Sequence, residues 1–135
     1  MSKSKGFDSM LESRFDTHLR LLKKARQIRD YVYHPDKLTI CSVPVTKYSK
    51  KKGWHISTET STYTPDFAVT MLDGSVVMVE TKGYFYEKDK HRVRGAAFAN
   101  PQYIFQIIKE GKDGKFFLDK EYNRTKIDPQ ERSLI

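Results

Sequence analysis

Three residues between Tyr63 and Gly83 have the types and spacing for chemistry at a cation. Asp66 stands just ahead of one apolar run, and Glu80 and Lys82 close the next. Two carboxylates side by side are costly without compensation, and a divalent ion supplies it. Oxygen donors favour magnesium, with manganese as a substitute, over zinc. Such an ion polarises a phosphoryl oxygen and acidifies a bound water, while an ammonium two residues along the strand orients that water or stabilises developing charge. The same residue types on neighbouring strands also occur as ordinary surface pairs, so spacing alone leaves both readings open.

Whether these side chains meet depends on the turn between the two runs. A two-residue loop at Asp73-Gly74 would set Leu72 opposite Ser75 and Asp66 opposite Thr81, on the other face from Glu80 and Lys82. A three-residue loop, Leu72-Asp73-Gly74 with Gly74 left-handed as a bulge, sets Asp66 opposite Glu80, with Phe67 and Val69 opposite Val79 and Val77. The expectation is this odd register, with carboxylates on one face and an apolar surface on the other. Glu80 and Lys82 share a face because strand side chains alternate. Pro65 is compatible with a strand start, where no ladder donor is needed.

The surrounding elements follow from periodicity. Residues 9 to about 28 read as an amphipathic helix with Leu11, Phe15, Leu19, Leu22 and Ala25 on its apolar stripe. Tyr31 to Val45 is strand-like but broken by Pro35 and Pro44, as edge or irregular strands are. Lys47 to Gly53 reads as a hairpin tip and Trp54 to Tyr63 as the returning strand. Lys88 to Asn100 is helix-compatible and ended by Pro101, Tyr103 to Ile108 is a buried strand, and Phe116-Phe117-Leu118 is a short final strand or tail contact. This order describes an α/β (α+β) fold with a mixed central sheet flanked by helices. The expected organisation is a single domain over residues 1–135, with 1–6 a flexible lead and 120–135 a C-terminal tail.

The 135-residue chain carries 25 Lys and Arg against 17 Asp and Glu, a formal charge of +8 that favours polyanionic partners, nucleic acid first. Acidic membranes and plain solubility are the blander explanations. Basic residues recur at Lys23-Lys24-Ala25-Arg26, Lys50-Lys51-Lys52, Lys88 to Arg94 and Arg124 to Lys126, which describes a broad face or groove. The single cysteine, Cys41, excludes a disulfide framework and a cysteine-based zinc site. With no apolar signal core and no stretch of membrane-spanning length, the expectation is a soluble intracellular protein.

The stretch Tyr-Thr-Pro-Asp-Phe followed by Val-Glu-Thr-Lys-Gly resembles the PD-(D/E)xK nuclease signature, in particular the endonuclease I type of phage Holliday-junction resolvase. Together with Phe7-Asp8-Ser9-Met10-Leu11-Glu12 and the helix after it, these motifs also resemble small phage-encoded proteins of presumed nuclease function. The resemblance spans roughly residues 7 to 110. It implies a restriction-endonuclease-like core and magnesium-dependent hydrolysis of branched DNA by a homodimer, in a host cytoplasm if phage-encoded. It also implies that Asp66, Glu80 and the backbone carbonyl of Thr81 bind the metal, that Lys82 acts on the attacking water, and that Glu12 joins the site from the first helix. Ser9-x-x-Glu12 is equally a capping box, so Glu12 has two competing assignments.

Lys88, Lys90, Arg92 and Arg94 follow the Glu-x-Lys strand, and Lys50, Lys51 and Lys52 sit at a hairpin tip; phosphate contacts are their functional reading and solvated faces the alternative. His91 could serve as a base or be a surface residue, and Tyr84, Phe85 and Tyr86 could pack or stack. Three rival functions remain: a recombination or restriction-type nuclease on linear duplex or flaps, a non-catalytic DNA-binding module of the same fold, and an interaction protein with an acidic partner.

Overall fold

A computed structural model describes residues 9–83 and 87–125, with side chains from residue 90 onward in the second segment. The N-terminal lead, Phe7, Asp8, the Tyr84 to Tyr86 stretch and the last ten residues of the expected tail lie outside it.

Helix α1 spans Met10–Lys24. Ser9, in extended conformation, caps it by accepting the Glu12 amide at 3.1 Å. The helix ends about four residues earlier than its apolar spacing predicts. Gln27 N–H reaches Leu22 O at 2.8 Å and Arg26 N–H reaches Lys23 O at 3.0 Å, with Arg26 left-handed at φ 58°. This is a Schellman ending built on arginine rather than glycine, which leaves Ala25 as the exposed cap instead of a stripe residue.

A five-stranded mixed sheet follows, made of β1 (Asp30–Tyr33), β4 (Phe67–Thr70), β5 (Val76–Thr81), β6 (Ile104–Glu110) and β7 (Phe116–Tyr122), in the order β1-β4-β5-β6-β7. Among the described strands only β5 and β6 run parallel, and they are joined through helix α2 (Glu87–Ala99). A separate two-stranded ribbon pairs β2 (Leu38–Ser49) with β3 (Gly53–Tyr63). Pro44 does not interrupt β2, because that strand has a partner on one edge only and tolerates a missing donor on the other. Strand β7 runs through Tyr122, so the expected final strand is longer than three residues and takes in the start of the expected tail.

Each helix covers one face of the sheet, as the mixed, helix-flanked arrangement requires. Phe15 and Leu19 of α1 pack with Ile28, Phe67, Val69, Val77, Val79 and Ile108. Val93, Ala96 and Ala97 of α2 pack with Tyr63, Met78, Phe105 and Ile107 on the other face. The alternation of Val77, Met78 and Val79 between these two cores is the strand period made visible. The ribbon joins the second core through Leu38 and Ile40. There a β-carbon added at Gly95 would lie 3.0 Å from Ile40 Cγ2, so glycine permits this close approach. Among the described residues no helix is long and apolar enough to cross a membrane.

The β4–β5 turn has the odd register. Phe67 pairs with Val79 and Val69 with Val77, while Met71 and Ser75 close a loop of Leu72, Asp73 and Gly74. Gly74 adopts φ +90°, and its amide bonds Met71 O at 3.0 Å. Asp73 Oδ1 accepts the Ser75 amide at 2.9 Å and holds the turn from within.

Candidate functional site

The site forms where α1 and the ends of β1, β3, β4 and β5 meet. Asp66 is a bend residue after Pro65, one position ahead of β4. Its carbonyl accepts the His34 amide at 2.8 Å, which carries the β1–β4 pairing one step further. Its Oδ2 accepts the Thr81 amide at 2.8 Å and the Thr81 hydroxyl at 3.0 Å.

Glu12 reaches the same place from the first turn of α1. Its Oε1 accepts Tyr33 Oη at 2.9 Å and lies 3.4 Å from His34 Nε2, and its Oε2 accepts Ser9 Oγ at 3.3 Å. The carboxylate of Glu12 is therefore shared between the two expected assignments, with Oε2 on the cap residue Ser9 and Oε1 toward Tyr33 and His34. His34 stacks on Tyr33 at 3.9 Å between ring centroids and has a left-handed backbone, φ 49°. For a non-glycine residue this conformation costs on the order of 1–3 kcal/mol and is held by its surroundings. Ligand atoms of Glu12, His34 and Asp66 all lie within 4.8 Å of one another.

Glu80 follows β5 onto the α2 side and is buried. Lys82 Nζ lies 3.1 Å from Glu80 Oε2, and the Tyr63 hydroxyl donates a short hydrogen bond to Oε1. Tyr63 is the last residue of β3, so the ribbon supplies one of the groups that hold Glu80. From this pair a polar trough runs past Thr62, Thr64 and Arg92, then on past Thr60, Ser61 and His91.

Burial, then the nearby charges of Glu80 and Glu12, push Asp66 up from the usual carboxylate range to about 8, against the opposing hydrogen bonds from Thr81. Two carboxylates from separate elements, Glu80 and Glu12, thus act against the charge of a partly desolvated Asp66. Their oxygen donors suit magnesium, and the imidazole of His34 is a donor that manganese accepts more readily. The donor set fits a hard divalent cation.

Of the residues expected from sequence, Glu12, Asp66 and Thr81 meet directly, and Glu80 and Lys82 form a pair that acts on Asp66 through space. Arg92 and His91 line the trough, Lys90 is half-buried, and Arg94 is exposed on α2. Lys88 belongs to the first turn of α2, its side chain outside the described residues. Lys50, Lys51 and Lys52 form the ribbon turn, at the opposite end of the ribbon from Tyr63. His34, Tyr33 and Tyr63 are additions that sequence reasoning did not single out. Their only signal was position at strand ends, which acquires meaning once β1 is paired with β4 and β3 is led back to β5.

No known protein family, curated protein or solved structure matches the chain.

Proposed function

We propose that this chain is a metal-dependent DNA endonuclease with a restriction-endonuclease-like core, selective for branched DNA and acting as a homodimer. The observation that carries the reading is the approach of Glu12, His34 and Asp66 to within 4.8 Å of one another, with Asp66 held up to about 8 under the charge of Glu80, which pairs with Lys82. Such repulsion is relieved by a divalent cation, and the Glu-x-Lys order supplies an ammonium next to it.

Asp66, Glu12, Glu80 and the Thr81 carbonyl would hold magnesium or manganese. The ion supplies phosphoryl polarisation and a more acidic water. Thr81 orients Asp66 by two hydrogen bonds and leaves Oδ1 for the ion. Tyr63 and Lys82 hold the Glu80 carboxylate in place, and Lys82 can release Glu80 to orient the attacking water or to stabilise charge on the phosphate. Arg92 meets a neighbouring phosphate along the trough. A two-fold dimer with one site per subunit makes the paired cuts that a junction needs.

The deciding experiment incubates the protein with a four-way junction, a flap and a linear duplex, with magnesium or with EDTA, beside Lys82→Ala. Magnesium-dependent cutting with preference for the junction is expected, and Lys82→Ala should lower it roughly 10²-fold or more. Binding without cutting under any divalent ion would replace the enzyme reading with a DNA-binding module.

A further inference from the structure

The β2–β3 ribbon is paired from Leu38 with Tyr63 out to Ser49 with Gly53, yet only its base enters a core. Beyond Ile40 it carries large apolar side chains into solvent: Ile56 is 75% exposed, Trp54 73%, Tyr48 61% and Val43 49%. A two-stranded ribbon has little stability of its own, and exposed apolar surface on such an element marks an interaction site. Tyr48 and Trp54 face each other across the strands near the tip, ring centroids 5.7 Å apart and edge to face. Lys50, Lys51 and Lys52 make the adjoining turn and Lys47 lies on the other face, against one carboxylate, Glu59, in the whole ribbon. Among the described residues none of the four lysines is held in an ion pair. The base of the ribbon lines the trough that leads past Arg92 to Glu80 and Lys82.

Aromatic rings with lysines at their rim match a polyanion that carries flat apolar faces. A second copy of this chain would bring lysines against lysines, which like charge disfavours. In an intact duplex the base faces are already stacked. At a branch point they are available, and aromatic side chains bind them with little dependence on sequence.

We propose that the β2–β3 ribbon is a DNA-binding arm: the Tyr48–Trp54 pair stacks on a base unstacked at a branch point, and Lys50, Lys51 and Lys52 hold the flanking phosphates. The assignment rests on the nuclease reading, whose site would lie beyond the base of the ribbon, along the trough that this base lines. It gives that site its selectivity, because an arm seated at a branch positions the strand that enters past Arg92.

Trp54 is the single tryptophan of the chain, so the unaltered full-length protein reports on its own arm. Titrating it in EDTA with a four-way junction or an unbranched duplex, tryptophan emission is read beside the anisotropy of labelled DNA. Emission should be quenched by the junction in step with anisotropy, and more weakly by the duplex. Trp54→Ala should weaken junction binding roughly tenfold. Replacing Lys50, Lys51 and Lys52 by alanine should weaken binding of both DNAs and flatten the salt dependence by about one unit for each phosphate no longer neutralised.

Junction binding with unchanged emission would overturn the arm, as would equal binding by Trp54→Ala. So would emission that varies with protein concentration and ignores DNA, the signature of a second copy covering the face. Magnesium-dependent cutting with silent emission removes the arm and leaves the nuclease. Quenching by the junction without cutting under any divalent ion removes the nuclease and leaves a binding arm.

Discussion

Asp66 is bonded twice to Thr81, through the amide at 2.8 Å and through the hydroxyl at 3.0 Å, both on the same carboxylate oxygen. One oxygen of the acid grouped with Glu12 and His34 is thereby committed to the end of β5. The arrangement joins the entrance of β4 to the exit of β5, and it keeps a reluctant carboxylate in position before any ligand arrives.

The charge on Asp66 opposes folding in the absence of metal. Its folded value of about 8 lies above the unfolded 3.8, so the folded state binds the extra proton between those limits. The associated stability is complete below about pH 4, declines as pH rises, and is lost above about 8. In EDTA, the melting temperature of the wild type relative to Asp66→Asn is expected to fall between pH 5 and 8. Magnesium should restore it more at pH 8 than at pH 5. Thermal denaturation at the two pH values checks both signs, and a wild-type minus variant difference that stays flat would refute them.

Ser9 and Glu12 should separate under mutation. Ser9→Ala removes the cap on the Glu12 amide and should cost about 0.5–2 kcal/mol in urea denaturation, with cleavage changed only a few-fold. Glu12→Gln keeps the cap and should abolish magnesium-dependent cleavage while leaving the urea midpoint within about 1 kcal/mol. If both variants lose activity in proportion to stability, the carboxylate has no role of its own.

Tyr63→Phe removes the hydroxyl that donates to Glu80 and leaves the ring in the α2 core. Loss of such a supporting partner typically lowers metal affinity or activity by about 10–100-fold. The variant should need more magnesium for half-maximal cleavage and regain most of its rate at saturation. A drop in rate that added magnesium does not repair would place Tyr63 elsewhere in the mechanism.

Phe15 is fully buried and packs on Phe67 at 5.3 Å and edge-on against Phe116 at 5.0 Å. Phe15→Ala should destabilise the domain by about 3–5 kcal/mol, a large share of what a chain of this size has. Chemical denaturation monitored by circular dichroism gives the value. A cost under about 1 kcal/mol would mean that this face of the sheet repacks around the void.

Local rules carried part of this structure and missed what distance in the chain conceals. The odd register of the β4–β5 hairpin was legible because Asp73-Gly74 names the turn and the carboxylates can share a face only with a three-residue loop. The expected split into a carboxylate face and an apolar face does not hold, since β5 is buried on both faces and Met78 packs under α2 on the side of Glu80. The end of α1 was not, since Arg26 occupies a left-handed position usually given to glycine, and nothing in a run of helix-forming residues announces it. Phe117 and Leu118 marked β7, but Asp119, Lys120 and Glu121 disguised its length with exposed or half-exposed charge. The contribution of His34 depends on the pairing of β1 with a strand more than thirty residues away, and that of Tyr63 on a ribbon that returns to β5.

The turn at Leu72, Asp73 and Gly74 also governs which changes of length the chain can absorb. Deleting one of these residues would exchange the two faces of β5 relative to β4, turning Val77 and Val79 away from the α1 core and Met78 and Glu80 into it, however conservative the remaining sequence. Lengthening by two restores the alternation. Insertions and deletions at this tip are therefore filtered by whether they are even or odd, a constraint that no single side chain carries.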